Sequence, residues 1–309
     1  MPDSALEFEP SLKNMSKQEW ISEVTDLVGD RGYVMPLGQR HTAAFVKNGP
    51  TLLISFETHH DIQTLSPDAH PLGWEMVKSQ GWSHLAVISD GDTWFRDSAI
   101  YDYFDQLLDD GFFDAFDSVL FYGAGPSGYA ACAYSVVAPG AYVLALQPQA
   151  TLDPFITSWD KRFLQMRRTD FNSRFGYAPD MLEAAMRAYV LFDPVEAEDA
   201  MHAALFNCSA VTKYRMRHMG RALQEQLMKM DLLYPLIKAA ADGSLTAERF
   251  GKLARARRNH LPYLRKLLNV LDSQDRTDLE IALCRNVVTR IGAPRFKKRL
   301  RRLTEKAED

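Results

Sequence analysis

The glycine-rich segment 123–128 (GAGPSG) holds the residues of this chain that are best suited to chemistry. It follows an apolar run and precedes a helical pattern of small residues, so a strand is predicted to turn sharply into a helix there. Two kinds of site use this construction. One is the G-x-G-x-x-G turn that binds a dinucleotide, matched by Gly123, Gly125 and Gly128. The other is a nucleophile elbow, which presents a serine at the tip of the turn.

The elbow interpretation allows two registers. If Gly125 is the tip, no side chain can attack a substrate, and Pro126 after it has no N–H for an oxyanion hole. That donor contributes about 3 kcal/mol of transition-state stabilisation where it is present. If Ser127 is the tip, Gly128 supplies the oxyanion amide, but Tyr129 is bulky where the strained turn requires a small residue. The first register abolishes serine catalysis, and the second retains it in a strained geometry.

The dinucleotide interpretation has the expected local spacing. An alanine-rich helix and a second predicted strand, 141–146, follow the glycines. The acid that binds the ribose should stand at the end of that strand, where this chain has Gln147-Pro148-Gln149. We therefore expect no bound FAD or NAD and no other cofactor. A third interpretation is a close strand–helix packing turn that binds nothing.

An acid and a histidine follow Ser127 in the order serine, acid, histidine, which is the chain order of α/β-hydrolases. Asp193 comes directly after a predicted strand, and His218 precedes a helical pattern. In this hypothesis His218 accepts the proton of Ser127, and Asp193 orients the imidazole. The amides of Gly128 and of a turn at Phe56-Glu57 would stabilise the oxyanion.

Three other histidines are candidate metal ligands or bases. The adjacent His59 and His60 follow a predicted strand but lack the H-E-x-x-H spacing of a zinc site. The three cysteines show no C-x-x-C spacing, so we expect no metal site and no disulfide framework. His202, which follows Asp199, is a second candidate base.

Short apolar runs that alternate with helical patterns predict a doubly wound, mostly parallel α/β sheet. The predicted strands cover residues 51–56, 85–89, 118–122, 141–146 and 187–192. Ser16 and Glu19 form a capping box, which predicts a helix from about residue 17, and a second helix is predicted over 98–108. Because ligands bind at the carboxyl ends of parallel strands, the residues after each strand should lie close together.

The composition, with 46% hydrophobic and 25% charged residues in 309, is that of a globular protein with a large core. The first ten residues are acidic and contain no apolar leader segment. No later run approaches the roughly 18 apolar residues of a membrane span. These features predict a cytoplasmic protein without a transmembrane segment.

The C-terminal part is chemically different from the rest. Residues 251–309 hold 16 Lys and Arg against 7 Asp and Glu, whereas the chain as a whole has a net charge of −4. Phe296, Leu300 and Leu303 fall on one helical face among cations. We therefore predict a sheet domain over 1–242 and a helical, basic region over 243–309. The basic helix either packs on the acidic domain through its apolar face or meets a protein partner or an anionic surface, such as a membrane or a nucleic acid.

The order of these pieces resembles that of the α/β-hydrolase-like proteins of bacterial surface-polysaccharide and accessory-secretion loci. The resemblance extends over roughly residues 51–233. The matching residues are Asp90 and Trp94, Phe121-Tyr122-Gly123, Gly128-Tyr129-Ala130-Ala131, and Pro148-Gln149. Asp193 and His218 resemble the acid and the histidine of the family, and members typically have a serine where Gly125 stands.

The resemblance implies an acyl-ester hydrolase or acyltransferase that acts on a small-molecule or acylated substrate. The departure at Gly125 implies a degenerate relative that keeps the pocket without catalysis. Residues that would line the substrate site are Phe56, Glu57, Trp94, Gly123, Gly125, Gly128 and Tyr129. The alternatives are a dinucleotide-binding protein and a non-catalytic interaction protein that uses the basic helices.

Overall fold

The computed structural model describes residues 10–305 and divides into two compact units, Met1–Phe250 and Gly251–Asp309. The acidic first residues, where the sequence predicts no leader segment, lie outside the described range as far as residue 9. The predicted boundary after residue 242 stays a prediction. No helix in the described range is both long and apolar enough to cross a membrane.

Eight strands form one sheet in the first unit. They are β1 (Gly32–Leu37), β2 (His41–Val46), β3 (Thr51–Thr58), β4 (Ser83–Ser89), β5 (Ser118–Ala124), β6 (Tyr142–Leu146), β7 (Arg187–Phe192) and β8 (Val211–Arg215). Their order across the sheet is β1-β2-β4-β3-β5-β6-β7-β8, with β2 antiparallel to both its neighbours and every other pairing parallel. This order and the single reversed strand are those of the α/β-hydrolase fold, so the predicted fold class is confirmed.

The helices of the first unit precede, connect and follow the strands. They are α1 (Lys17–Val28), α2 (His59–Leu65), α3 (Trp74–Gln80), α4 (Ser98–Asp109), α5 (Pro126–Tyr134), α6 (Pro154–Thr157), α7 (Ala197–Leu205), α8 (Leu223–Lys229), α9 (Leu233–Ala241) and α10 (Ala247–Leu253), the last of which continues into the second unit. Short 3₁₀ helices cover Gly29–Arg31, Phe112–Ala115, Ser135–Val137, Leu164–Arg168 and Asp180–Leu182. The predicted capping box is confirmed, since Ser16 Oγ accepts the Glu19 amide and the Glu19 carboxylate accepts the Ser16 amide.

The five predicted strands are confirmed as β3 to β7, and residues 10–305 form three further strands. β1 and β2 precede the predicted sheet, and β8 lies between the last predicted strand and the helical pattern that follows His218. β8 is a short strand at the edge of the sheet with the mixed sequence VTKYR, so it shows neither a continuous apolar run nor a strict alternation.

Two apolar clusters cover the two faces of the sheet, because successive side chains of a strand point to opposite faces. On β4, Leu85 and Val87 belong to the cluster that contains the side chains of α4 and α5. Ala86 and Ile88 belong to the cluster that contains those of α1 and α3. Helices therefore flank both faces, as a parallel sheet requires.

The second unit contains a 3₁₀ segment (Ala254–Asn259) and the helices α11 (Leu261–Ser273), α12 (Thr277–Ile291) and α13 (Pro294–Glu305). The three helices share an apolar cluster with Leu268, Cys284, Val287 and the fully buried Phe296 at its centre. The apolar face predicted for α13 is therefore used inside this unit. The helical character of the C-terminal region is confirmed, and the use of its cations stays a prediction.

Replacing Phe296 by alanine should lower the local stability of the second unit by about 3–5 kcal/mol, since it leaves a cavity in a small cluster. Hydrogen–deuterium exchange of the amides in α11 to α13 would measure this change as faster exchange. The matched control Lys297→Ala removes an exposed side chain from the same helix and should change stability by less than about 0.5 kcal/mol. Equal protection in the two variants would contradict the packing described for α13.

Candidate functional site

The turn after β5 has the backbone of an elbow, and Gly125 is its tip. Gly125 has φ 57 and ψ −123, a conformation that glycine adopts with little strain and that other residues rarely adopt. Its amide donates to the Leu146 carbonyl at 2.8 Å, and its carbonyl accepts the Tyr129 amide at 3.0 Å. α5 begins at Pro126, which places Ser127 inside the helix. The turn therefore follows the first of the two predicted registers.

The other glycines of this segment serve close packing. A Cβ at Gly123 would lie 2.0 Å from the Ser127 carbonyl oxygen. A Cβ at Gly128 would lie 3.1 Å from the carbonyl oxygen of Leu146. The G-x-G-x-x-G spacing is therefore explained by the approach of α5 to β5 and β6, whether or not a ligand binds.

A cavity of about 820 Å³ opens beside the tip of the turn. Residues at the ends of four neighbouring parallel strands contribute to its wall, as the sheet topology predicts. Its lining includes Thr58, Asp92, Ala124, Gly125, Ser127, Gln147 and Gln149, together with His60, Asp61, Arg162, Phe163, Asp199 and the segment 221–225. The elbow and its cavity are therefore both present.

The first turn of α5 forms one wall of this cavity. The amides of Ser127 and Gly128 have no carbonyl four residues earlier in the helix to accept them, because α5 begins at Pro126. Pro126 itself has no N–H. Ser127 lines the cavity and is 4% exposed. Of the two residues, Ser127 is among the described residues that line the cavity and Gly128 is not.

Arg162 is fixed in the cavity wall by two buried carboxylates. Its Nε donates to both oxygens of Asp160 at 3.1 Å, and its Nη1 donates to Asp199 Oδ1 at 2.5 Å. Burial disfavours the charged form of Arg162, but the hydrogen bonds to Asp160 and Asp199 outweigh the effect of burial. They raise the pKa of the guanidinium. Burial likewise opposes the charge of Asp160, and its bonds from His202 and Arg162 nevertheless hold its pKa well below the usual range.

His202, the second candidate base, forms a hydrogen bond with Asp160. Its Nδ1 accepts the Ala150 amide at 3.1 Å, which leaves its Nε2 to donate to Asp160 at 3.0 Å. Burial lowers the pKa of the fully buried imidazole, with Asp160 opposing that effect. Both ring nitrogens are thus occupied, and His202 is not available to take a proton from a substrate in the cavity.

Gln147 occupies the position at which a dinucleotide site has its ribose-binding acid. Its side-chain amide forms hydrogen bonds within the protein. Its Nε2 donates to Asp199 at 2.6 Å and to the Gly220 carbonyl at 3.1 Å, while its Oε1 accepts the Leu223 amide at 3.0 Å. Gln149 is different. Its Nε2 donates to the Gln147 carbonyl, and its buried Oε1 has no partner among the residues that the structure describes. Gln149 therefore lines the cavity and carries a buried acceptor without a partner in the described part of the chain.

The predicted acid and histidine are joined through the backbone. Asp193 is fully buried, and its Oδ1 accepts the amides of Val195 and His218, while its Oδ2 accepts the Gly220 amide at 2.7 Å. These bonds hold the loop after β8 against the end of β7. Among the described residues that line the cavity, Ser127 is present but Asp193 and His218 are not. Their catalytic roles stay predictions.

The oxyanion role expected for a turn at Phe56-Glu57 is wrong, because the strand does not end there. β3 continues to Thr58, and both residues are in register with β4, Phe56 beside Val87 and Glu57 beside Ile88. The Phe56 ring stacks in the apolar core. The chain turns two residues later than the sequence predicts, so neither residue lines the cavity as the structure describes it.

Trp94 and Tyr129 are also core residues rather than parts of the cavity wall. Trp94 is fully buried and its ring contacts Phe163 edge to face, with 4.8 Å between centroids. Because Phe163 lines the cavity, Trp94 affects that wall through its contact with Phe163. The Tyr129 hydroxyl donates to the Phe175 carbonyl at 2.7 Å inside the core. The sequence predicts that both aromatic residues contact the substrate, but neither is among the described residues that line the cavity.

The sequence analysis missed a buried polar cluster on β3 and β4. Ser55 Oγ donates to Glu57 at 2.5 Å and lies 2.7 Å from His84 Nε2, while the Glu57 carboxylate accepts the Leu72 amide. Burial raises the pKa of Glu57 to about 7, against the hydrogen bonds from Ser55 and Leu72. Burial lowers the pKa of His84 to about 3. Both side chains are therefore neutral inside the sheet domain at mildly acidic pH.

No protein-family model and no curated protein matches this chain. Similar solved structures include the mouse α/β hydrolase domain-containing protein 10, at 12% identity and TM-score 0.44, covering 69% of this chain and 98% of that one. Carboxyl esterase 2 of the fungus Tuber melanosporum has 13% identity, TM-score 0.43, and coverages of 73% and 86%. The capsule O-acetyltransferase of Neisseria meningitidis serogroup A has 12%, 0.38, and coverages of 66% and 93%. Similarity at this level is too low to carry an activity to this chain.

Replacing Glu57 by glutamine should make stability rise more steeply with pH than in the native chain between about 4.5 and 6.5. In the native chain, the stability that neutral Glu57 contributes is lost as the pH rises through its folded pKa. The stability that neutral His84 contributes is lost as the pH falls below 6.5, the pKa of histidine in the unfolded chain. The two trends oppose each other. Without Glu57 the opposing trend is removed, so the slope of stability against pH should exceed that of the native chain by up to about 1.4 kcal/mol per pH unit. Urea unfolding at several pH values measures it.

The exposed Glu75→Gln provides the matched control for this experiment, because it removes a carboxylate from the nearby helix α3 without touching the cluster. Its pH profile should parallel that of the native chain. If the Glu57→Gln profile were also parallel to the native one, Glu57 would ionise in the folded state as it does in water.

Proposed function

We propose that this chain is an α/β-hydrolase-fold protein that binds a small polar molecule in the cavity beside its elbow and forms no acyl-serine intermediate. The observation that carries the proposal is Gly125 at the tip of the turn, with φ 57 and ψ −123. The position that would hold a nucleophile has no side chain. Pro126 directly after it also removes the amide that would help to stabilise an oxyanion.

The cavity itself supports binding. Its volume of about 820 Å³ lies in the range of roughly 300–1,000 Å³ that is usual for small-molecule sites. Its lining includes a few fixed polar residues: Arg162, held by Asp160 and Asp199, Ser127 in the first turn of α5, and Gln149.

A second candidate function is acyl-ester hydrolysis or acyl transfer by Ser127. Ser127 lines the cavity, and the linked Asp193 and His218 occur in the chain order of a hydrolase triad. This candidate requires a nucleophile placed inside α5 instead of at the tip of the turn. Reactivity toward an acylating probe separates it from the binding function.

A fluorophosphonate probe should leave the folded native protein unlabelled, because no serine stands at the tip of the turn. Labelling is read by intact-protein mass spectrometry, with a serine esterase in a parallel reaction to show that the probe is active. Labelling that is lost in Ser127→Ala but kept in Ser135→Ala would establish the second candidate function. Ser135 is a fair control because it is buried and its hydroxyl donates to the Cys132 carbonyl.

A ligand of the cavity should raise the melting temperature of the native protein and of the exposed control Gln80→Met, but raise that of Gln149→Met much less. Ligand at about 100 times its dissociation constant adds about 2.7 kcal/mol of stability. A thermal-shift screen of small polar molecules that includes NAD and FAD measures this effect. We expect no shift with either dinucleotide, because Gln147 provides no acid for the ribose.

Two outcomes of the screen would contradict these expectations. A melting temperature that rises with NAD or FAD concentration would make the glycine turn a dinucleotide site. Ligands that stabilise Gln149→Met as much as the native protein would show that they bind outside the cavity.

A further inference from the structure

We propose that the C-terminal unit binds the phosphate backbone of a nucleic acid in a cleft between α11 and α13. The cleft has a volume of about 260 Å³ and is formed within the second unit alone. Its lining residues are Leu268, Asn269 and Asp272 from α11, and Arg295, Lys298, Arg299 and Arg302 from α13. Four of these seven side chains are cations.

The cations of α13 are arranged in a row. Arg295, Lys298 and Arg302 are three and four residues apart, so they lie on one face of the helix. At a rise of about 1.5 Å per residue, the row extends over about 10 Å. A row of this length can contact successive phosphates of one strand, and arginine forms bidentate bonds with phosphate oxygens.

The carboxylates near the cleft do not neutralise this row. Asp272, the one acid among the described residues of the cleft, forms an ion pair with Arg299. Arg299 also donates to the buried Glu280, at 2.8 Å from Nε. Arg299 is therefore a structural residue whose charge is balanced inside the unit. Lys298 and Arg302 are exposed and have no carboxylate partner in the described part of the chain.

The packing of α13 favours a nucleic acid over a lipid bilayer as the anionic partner. A helix that binds a bilayer surface inserts an apolar face among the acyl chains. On α13 that face is used by the protein, since Phe296 is fully buried in the apolar cluster and Leu300 packs against it. The helix presents cations without an apolar face, which suits a phosphate backbone that is contacted through charge and hydrogen bonds.

The test uses the full-length protein and a fluorescein-labelled DNA duplex of about 20 base pairs, with binding followed by anisotropy. With three phosphate contacts, the association constant should fall roughly 40-fold between about 50 and 200 mM NaCl. Lys298→Gln and Arg302→Gln should each weaken binding and make the salt dependence shallower by about one contact. Duplexes of unrelated sequence should bind alike.

Arg285→Gln is the matched control, because it removes one exposed cation from α12 without touching the cleft. It should retain the native salt dependence. An equal loss of binding in Arg285→Gln would show that attraction is general and that the cleft is not the site. Absence of duplex binding at about 50 mM NaCl would overturn the proposal outright.

A co-sedimentation experiment with lipid vesicles distinguishes a nucleic acid from a lipid surface as the anionic partner. Vesicles with about 30% phosphatidylserine should not co-sediment the protein under conditions where the duplex binds. Vesicle binding that is lost in Lys298→Gln, without duplex binding, would assign the cleft to lipid headgroups and overturn the nucleic-acid assignment.

Discussion

The turn between β5 and α5 depends on one backbone conformation, the positive φ of Gly125, which glycine adopts with little strain. The helix then returns so close to the strand that a Cβ at Gly123 would lie 2.0 Å from the Ser127 carbonyl oxygen. In an elbow that performs acyl transfer, a serine carries the strain of the tip because its hydroxyl is needed. Here the residue that relaxes the turn also leaves the tip without a nucleophile. The shape of the turn therefore does not depend on a nucleophilic side chain at its tip.

A network of buried charges holds another part of the cavity wall. Arg162 lies between Asp160 and Asp199, and His202 and Gln147 each satisfy one of these carboxylates. Removing one member of such a network leaves an uncompensated buried charge, which costs far more than the loss of a surface ion pair. The network connects the end of β6 with α7 and with the segment before α8. It therefore gives the wall a fixed shape whether or not a reaction takes place there.

The sequence predicted the fold well where the structure is buried on both sides. Continuous apolar runs marked β3 to β7, whereas the edge strand β8 has a half-polar sequence that no periodicity distinguishes from a loop. The site was harder to predict. Which register the turn adopts depends on φ at Gly125, and the partners of Arg162 include Asp199, 37 residues away along the chain. The buried polar cluster likewise forms because β3 pairs with β4, which brings together Ser55, Glu57 and His84. No local sequence motif indicates that pairing.

The basic C-terminal segment shows why amphipathic sequence alone does not identify a partner. The same pattern of apolar and cationic residues describes a helix that enters a membrane surface and a helix that packs in a protein. The two cases differ in where the apolar face goes, and in the second unit Phe296 belongs to a core shared with α11 and α12. Once that face is buried, the remaining chemistry of the helix is its row of cations. Because Arg299 is balanced by Asp272 and Glu280, the row that faces solvent is shorter and more regularly spaced than the charge count of the segment suggests.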